Sequence, residues 1–348
     1  MTRSVQQIRA QLETQQNHTE TSPVAASVGV ERHCSVGRAI AILSDAWAFL
    51  VIRECLFGAR RFDDFQGRLK VPRQTLTERL KRLTDQGILK RSAYLERPLR
   101  YEYRLTEMGI DLYPSMIAML RFGDKWLDGV PRIPLRLIHK NCGCHSEPIV
   151  ACSACGEELK AREVSYRDGP GAGRSAPIEF RRSRRSSDSE HYNRGRPSSV
   201  SRTLQIIGDR WTFKVSREAF LGARRFDEFE ERLNIAPNIL TDRLNRLVEK
   251  GIFERHLYQR LPDRFEYRLT PMGLELYGPF VAILAWGDRW LSHGAPPMIL
   301  THKTCGQDFT PQVICDKCRQ PIHAWEMAYE RNYDVTDDGE IRIREYDP

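Results

Sequence analysis

The octapeptide GARRFDDF, from Gly58 to Phe65, returns as GARRFDEF from Gly222 to Phe229, an offset of 164 residues. No other feature constrains the chain as strongly, because whatever one copy folds into, the other must fold into as well. The same offset aligns Trp47 with Trp211, Gly87 with Gly251, Tyr94 with Tyr258, Trp126 with Trp290, and the run EYRLT at Glu102 with that at Glu266. One residue is then lost, and at an offset of 163 His139, Cys142, Cys152 and Cys155 fall on His302, Cys305, Cys315 and Cys318. Each unit is therefore a longer domain followed by a short Cys/His tail. With 348 residues, and about 150 per domain as the usual size, each unit is long enough to bury a core of its own.

Composition sets the boundaries between these parts. Residues 1–30 are polar and rich in Gln and Thr, and read as a disordered N-terminal segment. The expected order is then a first domain over 31–130, a tail over 131–166, and a flexible basic linker over 167–198. A second domain over 199–294, a second tail over 295–333 and an acidic C-terminal segment over 334–348 complete it. The linker contains RDGPGAGRSAPIEFRRSRRSS, rich in Gly, Pro, Ser and Arg.

Within the first long domain, Val36, Ile40 and Leu43 recur at helical spacing, and Trp47, Leu50, Val51 and Glu54 follow on a second helix that ends at Gly58. A third helix carries Phe62, Phe65 and Leu69 inward. A fourth, opened by Pro72, carries Leu76, Leu80 and Leu83 until Gly87 stops it. ILKRSAYLERPLRYEYRLT then alternates on both sides of a turn at Glu96 to Arg100, as a hairpin does. A hairpin after a helix-turn-helix is a wing. Thr106 caps a long amphipathic stretch to Leu127, with Ile110, Tyr113, Ile117 and Leu120 on one stripe, and Thr270 with Pro271 opens its counterpart. The expected class is mainly α with small β wings (α+β): two winged helix-turn-helix domains, each followed by a zinc-binding tail.

The separated motifs agree in order with a known pattern. Cys34 with Val36, Trp47 with Leu50 and Arg53-Glu54, Gly58 with Arg61-Phe62, the helix from Leu76 to Leu83, and Tyr101 through Thr106 resemble the HxlR-type family of winged-helix transcriptional regulators. IIGDRWTFKVSREAFLGARRFDEF, ILTDRLNRLVEKGIF and FEYRLTPMG carry the resemblance in the second unit. It covers about Cys34 to Leu127 and Ser199 to Leu291, and leaves out the tails and the tandem arrangement. It implies homodimers joined through terminal helices, repression rather than activation, and a redox-responsive thiol at Cys34, whose counterpart here is Ser198.

A helix-turn-helix presents the N-terminal side chains of its second helix to base edges in the major groove. Arg73, Gln74, Thr75, Thr77 and Glu78 are the base-reading candidates of the first unit, and Asn238, Ile239, Thr241 and Asp242 those of the second. Because the two sets differ, the two domains are expected to read different half-sites. Arg60, Arg61, Arg79, Arg82, Arg224, Arg225, Arg243 and Arg246 are candidates for phosphate contacts, and Arg97, Arg100, Arg260 and Arg264 at the wing tips for the minor groove. The net charge of +8 agrees with a polyanionic partner.

Nine cysteines, in a chain with no apolar leader or membrane-length segment, point to a reducing cytoplasmic, nucleoid-associated setting and so to metal binding. H-x2-C-x9-C-x2-C occurs twice, and thiolate with imidazole suits tetrahedral zinc. The expectation is one structural zinc per repeat, held by His139, Cys142, Cys152 and Cys155 in the first and by His302, Cys305, Cys315 and Cys318 in the second. Cys144 and His145 compete as ligands in the first site, and His323 stands in reserve. Four-ligand sites leave no open position for catalysis, and no nucleophile-base arrangement or phosphate-binding glycine loop is visible, so an enzyme is not expected. The reading is a sequence-specific double-stranded DNA-binding regulator built as an intrachain pseudo-dimer, with a homodimer as the alternative assembly. A protein-interaction module reusing winged helices, or a redox- or metal-responsive regulator, is the competing function.

Overall fold

The computed structural model describes residues 31–43, 46–175, 196–336 and 340–344. The first unit opens with helices α1 (Ser35–Leu43), α2 (Ala46–Leu56), α3 (Phe62–Leu69) and α4 (Arg73–Asp85). The spacing of Val36, Ala39, Ile40 and Leu43 puts one face of α1 inside, as Leu76, Leu80 and Leu83 do for α4. Gly58, at φ 86°, turns the chain out of α2 in a backbone conformation that a side chain would strain. Strands β2 (Leu89–Glu96) and β3 (Leu99–Leu105) form the wing, and the Tyr103 N–H donates to the Arg60 carbonyl at 2.7 Å, tying the wing to the turn before α3.

The second unit repeats this order in α7 (Ser199–Ile207), α8 (Arg210–Phe220), α9 (Phe226–Leu233) and α10 (Pro237–Glu249), followed by strands β9 (Phe253–Gln259) and β10 (Arg264–Leu269). The long stretch from Thr106 to Leu127, expected as one helix, is two: α5 (Glu107–Ile110) and α6 (Tyr113–Trp126). Pro114 stands in the first turn of α6, where its missing N–H and ring are tolerated, whereas inside a continuous helix they would break it. The second unit divides likewise, into α11 (Pro271–Glu275) and α12 (Tyr277–Leu291), with Pro279 near the start of the latter.

The two units share one hydrophobic core, and α6 and α12 lie at its centre. Helix α6 packs on α7 and α12 packs on α1, so each long helix seats the first helix of the other unit. A Cβ on Gly123 would meet the Ser199 carbonyl oxygen, and one on Gly287 would meet that of Ser35. The Trp126 indole donates to Glu275 at 2.9 Å, and the Trp290 indole donates to Asp111 at 2.7 Å.

The tails exchange strands. β14 (Met327–Arg331) of the second tail pairs with β4 (Leu135–His139) of the first, which also pairs with β5 (Cys144–Ser146). Symmetrically, β7 (Val164–Asp168) pairs with β11 (Met298–His302), which also pairs with β12 (Gln307–Phe309). β6 (Ile149–Cys152) and β13 (Pro311–Ile314) pair with one another. Two expected loose segments are partly ordered: Arg167–Asp168 belong to β7, and β8 (Arg174–Ser175) pairs with β1 (Glu31–Arg32). In the acidic C-terminal segment, β15 (Tyr333–Val335) pairs with β16 (Ile341–Ile343). Residues 176–195 of the expected linker and the expected disordered segment 1–30 lie outside the described residues. Among the described residues, no single helix is long and apolar enough to cross a membrane.

Candidate DNA interface and metal clusters

The two reading helices, α4 and α10, bury Leu76, Leu80 and Leu83, and Leu240, Leu244 and Leu247, against their own units. That burial turns Arg73, Gln74, Thr77 and Glu78 outward on α4 and Asn238, Thr241 and Asp242 outward on α10, while Thr75 and Ile239 are half-buried. Arg73 donates to the Gln66 side chain at 2.8 Å and lies over the Phe62 ring, so it bridges α3 and α4. Gln74 donates to Glu78 at 3.2 Å. The sequence reading missed Lys81 and Asn245, which are exposed one turn beyond Thr77 and Thr241. Their i+4 spacing was the available signal.

The arginine candidates divide into two groups. Arg82 and Arg246 reach back to the Ala41 and Gln205 carbonyls, bracing the reading helices against α1 and α7. Arg60 donates to the Cys55 carbonyl at 2.7 Å and to the Ala59 carbonyl at 3.0 Å. Arg79 is largely covered and lies 3.8 Å from Glu78, and Arg243 is paired with both Asp209 and Asp242. Arg61, Arg224 and Arg225 are exposed, as are Arg97, Arg100, Arg260 and Arg264 on the wings. Arg61 stacks over Tyr94 and Arg225 over Tyr258, each 4.5 Å from the ring centroid. Asp64 organises the turn beneath Arg61. Against the upward push of partial burial, the Arg61 and Arg60 backbone N–H groups hold its carboxyl below the usual range.

The Cys/His tails bring together all eight expected ligands, but in a different grouping from the one expected. His139 and Cys142 of the first tail meet Cys315 and Cys318 of the second, and Cys152 and Cys155 meet His302 and Cys305. The cause is the antiparallel pairing of β6 with β13, which sets Cys152 opposite Pro311 and Ile149 opposite Ile314. Each C-x2-C therefore leaves its own H-x2-C and lands beside its partner's. In the first cluster the His139 Nδ1 lies 3.2 Å from Cys318 Sγ and 3.5 Å from Cys142 Sγ, and Cys142 Sγ lies 3.9 Å from Cys315 Sγ. In the second, the His302 Nδ1 lies 3.3 Å from Cys155 Sγ and 3.6 Å from Cys305 Sγ, and Cys152 Sγ lies 4.0 Å from Cys305 Sγ.

Tetrahedral zinc with bonds of about 2.3 Å to sulfur and 2.0 Å to nitrogen separates its ligand atoms by about 3.5–3.8 Å, so these distances fit such an ion. Both histidines are fully buried, with Nε2 lacking a hydrogen-bond partner, which leaves Nδ1 as the atom aimed at the thiols. Cys315 is lowered to about 7: burial raises it, but hydrogen bonds from Ser146 and from the backbone of Cys318 and Lys317 favour the thiolate more. Cys144 is exposed and His145 lies 3.9 Å from Glu330, and neither belongs to a cluster. His323 instead stacks on Trp325.

Cys34 is half-buried where the units meet, against the Arg217 guanidinium of the second unit. Cys55 is core. Burial pushes its thiol up to about 12, with Glu54 adding to the shift and Arg60 opposing it.

A wing tied to a helix-turn-helix, with an exposed polar face on the second helix, defines a winged-helix DNA reader, present here twice. The sequence matches the HxlR-like helix-turn-helix family over residues 42–130 and 206–295, a little over half the chain. The chain belongs to this family, and is a DNA-binding transcriptional regulator in tandem duplicate. An uncharacterised HTH-type transcriptional regulator of Mycobacterium tuberculosis is 42% identical over 137 residues, covering 39% of this chain and 87% of the relative. Another, from Synechocystis, is 38% identical over 96 residues, covering 27% of this chain and 71% of its own length. A solved structure of a candidate transcription factor from Pseudomonas aeruginosa shares 32% identity over 41% of this chain and 84% of its own, at a TM-score of 0.24, too low to carry an argument about arrangement.

Proposed function

We infer that the chain acts as a repressor that reads two unlike half-sites from one polypeptide, with α4 and α10 in successive major grooves and the wings on the backbone or minor groove. The observation that carries this is the packing of α6 and α12 on each other and on α7 and α1, which gives one chain the two heads a family dimer takes from two. The outward residues differ between the heads: Gln74, Glu78 and Lys81 on one, Asn238, Asp242 and Asn245 on the other. The operator is therefore not a true palindrome. Arg61, Arg224 and Arg225 hold phosphates and the wing arginines reach the backbone or minor groove, while Arg60, Arg82 and Arg246 act within the fold.

Each Cys/His cluster holds one structural zinc, because its donor set and spacing suit that ion. Bound there, zinc supplies cross-linking of the two tails and no chemistry. Cys34, beside Arg217, is the candidate redox thiol of the pair of units.

The test is selection of duplexes from a random library by the full chain, followed by footprinting. Gln74→Ala and Asn238→Ala are expected to relax base preference in different halves of the selected site, each at a cost of about 1–3 kcal/mol. Loss of preference in the same half from both, or enrichment of no duplex at all, would remove the two-head reading.

A further inference from the structure

Each metal cluster takes half of its ligands from each repeat, so an ion bound there joins the units rather than stapling one tail. We propose that the two ions are clasps whose occupancy sets how tightly the chain grips a two-half-site duplex. This rests on the zinc-loaded, two-headed reading above and adds regulation to it.

The tail strands touch the heads at equivalent points. Tyr329 on β14 packs edge-on against Phe57 with ring centroids 5.0 Å apart, and the Tyr166 hydroxyl on β7 donates to the Leu221 carbonyl at 3.4 Å. Phe57 and Leu221 stand immediately before Gly58 and Gly222, the positive-φ residues that lead into each helix-turn-helix. In both cases the strand comes from one unit and the head from the other. Tyr333, just past β14, is buried. A path of contacts thus runs from each cluster, along a swapped strand, to the head of the other unit, so an ion holds one head in place relative to the other.

The strands themselves are weak holders. Those of the tails run from three to five residues, short for sheets that must be stable unaided. Binding free energy of a structural ion becomes folding free energy in such elements. The clusters also differ in access. Cys155 is exposed, while every ligand of the cluster containing His139 is at least partly covered. The cluster of Cys152, Cys155, His302 and Cys305 is the one that exchanges first with a competing chelator.

The experiment compares the zinc-loaded full chain with the same chain stripped by a chelator under reducing conditions. It uses a library-selected duplex and a duplex carrying one of its half-sites, with zinc content measured on each sample. Stripping is expected to weaken the two-half-site duplex about tenfold or more, to change single-half-site binding by less than about twofold, and to speed hydrogen exchange in β7, β14 and the Gly58 and Gly222 turns. Cys155→Ser is expected to lose one ion and fall between the two states. Equal binding of the selected duplex by loaded and stripped chain overturns the clasp, as does parallel loss of single-half-site binding, which would mean general unfolding. Uptake of no zinc, or no selected duplex, fails the underlying reading instead.

Discussion

Cys152 and Cys155 lie in the same tail as His139 and Cys142, yet face the other unit's histidine. The residue types and spacing pick out the candidate ligands, because thiols and imidazoles repeated at one spacing have a shared chemistry. They do not identify the partners, since H-x2-C is within reach of either C-x2-C until a strand register is chosen. Paired substitutions tell the two arrangements apart. Cys142→Ser with Cys318→Ser is expected to leave one bound zinc per chain, whereas Cys142→Ser with Cys155→Ser is expected to damage both sites, as counted by atomic emission on purified protein. The opposite pattern would restore a site within each tail. Arg82 and Arg246 teach a similar lesson: their charge is legible in sequence, but their use as braces onto backbone carbonyls emerges only when α4 meets α1 and α10 meets α7.

At the scale of elements, the seam between α6 and α7, mirrored by α12 and α1, is close because Gly123 and Gly287 have no side chain. Gly123→Ala is expected to cost about 1–3 kcal/mol by forcing the helices apart, read from the urea midpoint; a change near zero would mean that the seam opens freely. Two carboxyls line this seam. Burial pushes Asp124 up to about 7 against the hydrogen bond from Ser199 and the charge of Arg202. Asp288 is pushed up to about 6 by burial, against hydrogen bonds from Ser35 and Ser292. Both are raised above the ordinary 3.8, so the folded state favours the protonated forms. Their contribution to stability is complete below about pH 4 and is lost as pH rises through about 6 and 7. An Asp124→Asn, Asp288→Asn variant should therefore gain on the parent between about pH 5 and pH 8, measured as the difference in denaturation midpoint. A difference independent of pH would place these carboxyls in water.

For the whole molecule, one shared core and exchanged tails make the two units a single body. The chain is expected to sediment as a monomer at micromolar concentration and to protect two adjacent half-sites about one helical turn, or a multiple of it, apart. An obligate dimer protecting four half-sites would show that each chain supplies only half of a reader. The amphipathic character of the long stretch was legible in the stripe of Ile117 and Leu120, though not the break that Pro114 makes between α5 and α6.

The amino-acid order by itself determined the duplication, the helix-turn-helix with its wing, and the eight candidate metal ligands, because these rest on local periodicity, turn residues and ligand chemistry. Tertiary structure alone decided which Cys pair faces which His, which arginines are spent inside the fold, and how the long helices seat the opposite unit. Those outcomes depend on contacts between residues distant in sequence, 41 positions for Arg82 and Ala41 and 179 for His139 and Cys318, and the two repeats are so alike that local sequence offers each segment two nearly equivalent partners. The antiparallel register of β6 on β13 and the close approach at Gly123 and Gly287 select between them.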